Sequence, residues 1–184
     1  AKALSFARIN LGISVGSSTA GTAMIATGIS TGYRRVVVLG AVRISGNVET
    51  DALGKAFAEF AHQIAERYGQ LAYAYCDAKE TFLYRAIRKA TTTYGAPVSV
   101  RSAANDDVNN RIRLTTRLIA QNRLFLTEDC EVLSQALASA TWNENHTADS
   151  RAETPDTVAL NAFEYTIERE ASRFLSSEGG ATCV

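Results

Sequence analysis

Apolar residues come in strand-sized runs through the first 44 positions, and at intervals of three and four beyond position 50. The runs 9–15, 21–29 and 35–44 are rich in β-branched residues and parted by Gly/Ser/Thr clusters, which predicts three strands. The links Gly16-Ser17-Ser18-Thr19 and Ser30-Thr31-Gly32 are short enough for hairpins, so these strands are expected to be antiparallel neighbours. Residues 50–68 then set Leu53, Phe57, Phe60, Ala61 and Ile64 at the spacing of an amphipathic helix. A short apolar run at 71–75, ending at Cys76-Asp77, reads as a buried strand. Residues 81–90 read as a helix with Phe82, Leu83, Ala86 and Ile87 on one side, and 97–100 as a fifth strand.

The second half is mostly helical. Residues 107–120 predict a helix with Val108, Ile112, Thr115 and Ile119 inward, 124–126 is a brief apolar stretch, and 130–140 predicts another helix. Residues 142–153 are polar and loop-like. Thr154-Pro155-Asp156 is a helix start, with a capping hydroxyl, a proline at the first position and an acid facing the dipole. That helix is expected to run to about residue 174, and the tail 176–184, with Gly179-Gly180, reads as mobile. A strand that follows a helix and joins the same sheet needs a crossover connection. The order therefore predicts an α/β fold: a mixed sheet of five strands, or slightly more, with helices on both faces.

Composition narrows the picture without changing it. At 184 residues and 46% hydrophobic content the chain suits one domain, read as 1–175. No apolar run approaches the roughly 18 residues of a membrane span. The start Ala1-Lys2-Ala3 has neither methionine nor a basic-then-apolar leader, and reads as an excised fragment. Nineteen basic and 19 acidic residues cancel, which argues weakly against strong nonspecific nucleic-acid binding. Cys76, Cys130 and Cys183 form no C-x-x-C pair and read as reduced thiols, with no zinc site or disulfide framework.

Three places suit chemistry. Gly12-Ile13-Ser14-Val15-Gly16 ends the first strand, Asp77 follows the fourth, and Asn161 lies on the last long helix with Glu164 three residues on. Ligands of α/β sheets gather at the carboxyl ends of strands, which would bring the first two together. The Gly16–Thr19 turn reads either as a plain hairpin or as a phosphate cradle of backbone amides. Basic residues cluster in the middle of the chain, among them Arg101, Arg111, Arg113 and Arg117. Arg113 and Arg117 share a helix face, and the set reads either as a DNA-backbone track or as a solvated face. His62 and His146 lack partners at ligand spacing.

The segment "NLGISVGSSTAGTAMIATGISTGYRRVVVLGAVRI" (10–44), then "AYCDAKE", "DDVNNRIRLTTRLIAQNRLFL" and "VALNAFEYTIE" resembles, in that order, the C-terminal nuclease domain of phage large terminase subunits. The resemblance spans nearly the whole chain. It implies a ribonuclease H-like fold, a metal-dependent endonuclease that cuts concatemeric double-stranded DNA during packaging, and Mg²⁺ or Mn²⁺ as cofactor. It also implies an ATPase domain of the same motor as partner, with portal and small terminase subunit as further candidates, and assembly in the host bacterial cytoplasm. No G-x-x-x-x-G-K-[ST] motif occurs, so the ATPase half is not expected in this chain.

Such chemistry uses two hard cations about 4 Å apart, held by clustered carboxylates. The positions that match the family's acids are Ser14, Asp77 and Asn161, of which only Asp77 keeps a carboxylate. Neutral oxygens offset less cationic charge, which predicts a weakened site. Glu164 is a candidate substitute ligand, whereas Asp156 lies about 140° round the helix and reads as a cap. Three activities stay open on these residues: a working endonuclease, a docking module for DNA or portal that keeps the fold without catalysis, and a resolvase- or transposase-like nuclease.

Overall fold

The computed structural model describes residues 5–105, 107–140 and 153–177. Three long strands, β1 (Phe6–Val15), β2 (Thr22–Ser30) and β3 (Val36–Ile44), pair antiparallel in sequence order at the middle of the sheet. Crossovers through α1 (Thr50–Tyr68) and α2 (Thr81–Thr93) add β4 (Tyr73–Cys76) parallel to β1, and β5 (Ser99–Ser102) parallel to β4. After α3 (Val108–Ala120), β6 (Leu124–Leu126) returns parallel to β3. The sheet is mixed and six-stranded, in the order β5-β4-β1-β2-β3-β6. The sixth strand is the brief stretch 124–126, whose three residues are too few to carry a period.

Burial on both sheet faces explains why the central strands carry so few charged residues. Ile9, Leu11 and Ile13 of β1 point to one core, with Phe57, Ala61 and Ile64 of α1 and Leu83 and Ile87 of α2. Ile25 and Ile29 of β2 and Val36 and Val38 of β3 point to the other, under α4 (Glu131–Ser139) and α5 (Pro155–Ile167). A register shift between Ala26 and Thr27, opposite Gly40 and Val38, marks a bulge on β3. No helix among the described residues is long and apolar enough to cross a membrane.

Three helix readings need correction. In α2 the buried stripe is Leu83, Ala86, Ile87 and Ala90, while Phe82 is 60% exposed. In α3 the buried set is Arg111, Leu114, Thr115 and Leu118, and Ile119 points to solvent. Both stripes have helical spacing; the observed one was hidden because it contains an arginine, whose burial depends on a carboxylate from another helix. The last helix also breaks early. A 3₁₀ turn at Glu168–Glu170 separates α5 from α6 (Ala171–Ser176). There Glu168 Oε1 accepts the amides of Ala104 (2.6 Å) and Asn105 (3.2 Å), and Glu170 pairs with Arg8 (3.0 Å). The polar stretch 141–152 and the tail 178–184 lie outside the described residues.

Candidate active site

The site is set by register and by one close approach. Gly12 and Ile13 of β1 stand opposite Tyr75 and Cys76 of β4, so the two parallel strands end side by side and deliver Ser14 and Asp77 to the same edge. Across that edge runs α5. A side chain at position 12 would put its Cβ 1.8 Å from the carbonyl oxygen of Ala162, so Gly12 alone allows the helix to lie directly on the strand. Asn161, next to that carbonyl, is thereby brought to the strand ends. The start of α5 is fixed by a reciprocal capping box, in which Thr154 and Thr157 exchange side-chain and backbone hydrogen bonds.

Ser14, Asp77 and Asn161 line one cleft of about 260 Å³. Glu80, Glu153 and Tyr165 line it as well, over apolar Val15, Leu83 and Val158. Sequence reasoning missed these polar members. Glu80 and Tyr165 had a signal: Glu80 closes the "AYCDAKE" segment, and Tyr165 lies one helical turn beyond Asn161. Glu153 had none, because the fold brings it in from a polar segment that has no period.

Asp77 has a double occupation. Its Oδ1 accepts the amide of Lys79 (2.8 Å) and the side-chain nitrogen of Asn105 (2.7 Å), which locks the turn after β4. Oδ2 accepts no hydrogen bond among the described residues. Glu153 reaches back to the β1–β2 turn, where its Oε1 accepts the amide of Ser17. That turn therefore faces an anion, but one supplied by the chain itself. Burial raises the Tyr165 phenol to about 12, against the pull of Arg111 and with help from Asp77 and Glu168, so it stays a hydroxyl donor. Burial, with Asp77 next in sequence, likewise pushes the Cys76 thiol up to about 12.

Two expected participants lie elsewhere. Glu164 is fully buried, its Oε2 3.5 Å from a guanidinium nitrogen of Arg111, and it does not line the cleft. Arg111 is 7% exposed and therefore unavailable to a DNA backbone. Each explains the other's burial, since neither charge is tolerated inside without its partner. Asp156 in the first turn of α5 pairs with Arg43 (3.2 Å) and accepts a hydrogen bond from Ser139 (2.7 Å). Arg113 and Arg117 are exposed on α3, whereas Arg101 is exposed on β5, at the far edge of the sheet. His62 meets the Tyr94 carbonyl (3.4 Å).

Chemically the cleft offers three carboxylates, the hydroxyls of Ser14, Thr157 and Tyr165, and the carboxamide of Asn161. Among the described residues no group of three or more His, Cys, Asp or Glu stands close enough to hold a metal ion.

No family model matches the sequence, and no curated protein matches it. Solved structures do. The nuclease domain of the large terminase from bacteriophage SPP1, with bound Mn, superposes with a TM-score of 0.60 at 16% identity, over 90% of this chain and 88% of that one. The human cytomegalovirus terminase nuclease domain gives 0.62 at 8% identity, over 92% and 89%. The large terminase nuclease of thermophilic phage G20c, with bound zinc, gives 0.53 at 13% identity, over 88% and 81%. At such identities the likeness speaks for architecture: this chain has the ribonuclease H-like α/β fold that terminase nuclease domains share.

Proposed function

We propose that the chain is the nuclease domain of a viral DNA-packaging motor, hydrolysing double-stranded DNA at the cleft that holds Ser14, Asp77 and Asn161. The observation that carries this reading is their convergence at the ends of β1 and β4 and beneath α5, in the fold of nucleases whose structures carry Mn or zinc. The donor set fits a hard divalent cation in kind, because every candidate ligand is an oxygen. Asp77, Ser14 and Asn161 would hold it, and it would supply Lewis-acid polarisation of a phosphodiester and a more acidic bound water.

The residues of the chain divide the remaining work. Asp77 has Oδ1 tied to its own turn and Oδ2 left for the cleft. Tyr165 keeps its proton and offers it toward a phosphate oxygen. Glu80 and Glu153 add negative charge that draws cations, and Glu153 holds the β1–β2 turn still while it does so. With neutral oxygens at 14 and 161, this set favours weak binding of one cation over tight binding of two.

That shortage supports a second reading, a domain of the same fold that docks DNA or the portal without cutting. Plasmid nicking with Mn²⁺ separates the two. Nicking by the native chain, abolished by Asp77→Asn, supports the nuclease. Nicking only after Ser14→Asp with Asn161→Asp supports the docking module, with the site correctly assigned. A doubly substituted chain that binds Mn²⁺ tightly in calorimetry yet cuts nothing means that the catalytic positions are wrong.

A further inference from the structure

Tyr73 and Tyr75 lie on the α5 side of the short strand β4, since Ala74 and Cys76 point into the opposite core. Their rings stand 5.9 Å apart, and the row continues through the packing of Tyr75 against Tyr165, which lines the cleft. Arginines from three elements rest on this row. The Arg101 guanidinium of β5 stacks 3.6 Å from the centre of the Tyr73 ring, and Arg8 of β1 stands 5.8 Å from it. Arg169 stands 5.8 Å from the Tyr75 ring and donates to the carbonyl of Ser102 (2.9 Å).

Arg101 and Arg169 are exposed and Arg8 is partly so. Among the described residues two carboxylates face this group: Glu170, paired with Arg8 at 3.0 Å and with Arg173 at 3.4 Å, and Glu168, which accepts the amides of Ala104 and Asn105. The row thus carries a net positive charge beside an acidic cleft. A ring face holds a guanidinium in place through the quadrupole while leaving its N–H edge pointing outward. The exposed guanidiniums of Arg101 and Arg169 suit phosphates of a polyanionic backbone, while Arg8 is held against Glu170. The row does not suit base stacking, because Arg101 already covers the Tyr73 ring.

We propose that this arginine–tyrosine row on β1, β4 and β5 is the rail along which duplex DNA reaches the cleft, with Arg101 and Arg169 on its phosphates and Arg8, paired with Glu170, behind them. The inference rests on the nuclease reading for its polyanion, but binding and cutting are measured separately. α3, with exposed Arg113 and Arg117, is the competing surface.

The test is fluorescence anisotropy of a labelled duplex in EDTA, where no cleavage occurs, across a salt series. Each phosphate contact contributes about 0.9 to the slope of log K against log salt. Arg101→Glu with Arg169→Glu should weaken binding at least tenfold at low salt and flatten the slope by about 2. Arg113→Glu should change neither. Native binding by the arginine-reversed protein overturns the rail, as does an equal loss in Arg113→Glu, or no binding by the native chain at low salt. Failure of plasmid nicking with binding intact would instead overturn the nuclease reading and leave the rail standing.

Discussion

Gly12→Ala tests whether one missing side chain lets α5 reach the sheet. A Cβ at position 12 would lie 1.8 Å from the Ala162 oxygen and 2.9 Å from both the Ala162 carbonyl carbon and a Thr166 methyl. Carbon and oxygen tolerate roughly 3.3 Å at closest, so the gap must open by about 1.5 Å. The obstacle is helix backbone, which no rotamer change can relieve, so α5 must move as a body. A displacement of that size forfeits much of the dispersion contact along the helix–sheet interface. Overpacking costs about 1–3 kcal/mol where side chains can yield; here the upper end, about 3 kcal/mol, applies. For a domain of this size that lowers Tm by about 6–12 °C.

Gly54→Ala supplies the opposite sign. Position 54 lies inside α1, and its Cβ would meet nothing nearer than 3.5 Å. The same chemical change there should raise stability by about 0.5–1 kcal/mol through helix propensity. Calorimetric scans of both variants decide the matter. A Gly12→Ala protein melting within a degree of the native chain would refute the close approach, and with it the account of how Asn161 comes to the cleft.

Two further predictions concern buried charge and protons. Arg111→Met or Glu164→Gln alone should destabilise by about 3–5 kcal/mol, because each leaves a buried partner uncompensated, whereas Arg111→Met with Glu164→Leu should recover most of the loss; urea unfolding of the three variants checks this, and additive losses would contradict it. The Cys76 thiol is raised to about 12 in the folded chain from 9 when unfolded, so the native state holds its proton longer. Its contribution is complete below pH 9 and is lost as pH climbs to 12. The native chain should therefore lose stability above pH 9, and Cys76→Ala should flatten that slope in a pH series of denaturation midpoints. An unchanged slope would assign the alkaline loss elsewhere, with Tyr165 the next group to examine.

The buried pair between α3 and α5 bears on the site itself. Arg111 stands 5.3 Å from the ring of Tyr165, the residue that follows Glu164 and lines the cleft. The same guanidinium thus fixes α3 to α5 and steadies the back wall of the cleft. This is why an arginine expected to face DNA is better understood as part of the frame.

What the sequence determined alone was local. Runs rich in β-branched residues marked β1, β2 and β3, the three-and-four spacing marked α1, and Thr154-Pro155 marked the start of α5. These signals survive in one dimension because backbone sterics and one-sided burial act over a few residues. What lay several strands away was not legible. The partner of Arg111, the arrival of Glu153 at the cleft, and the exclusion of Glu164 all depend on which helix crosses which strand. Even Ser14 and Asp77, though readable as candidates, meet only because β1 and β4 run parallel in one register, and Asn161 joins them only because Gly12 has no side chain. Periodicity encodes which face of an element is buried; the identity of the atoms that cover it is a property of the packed whole.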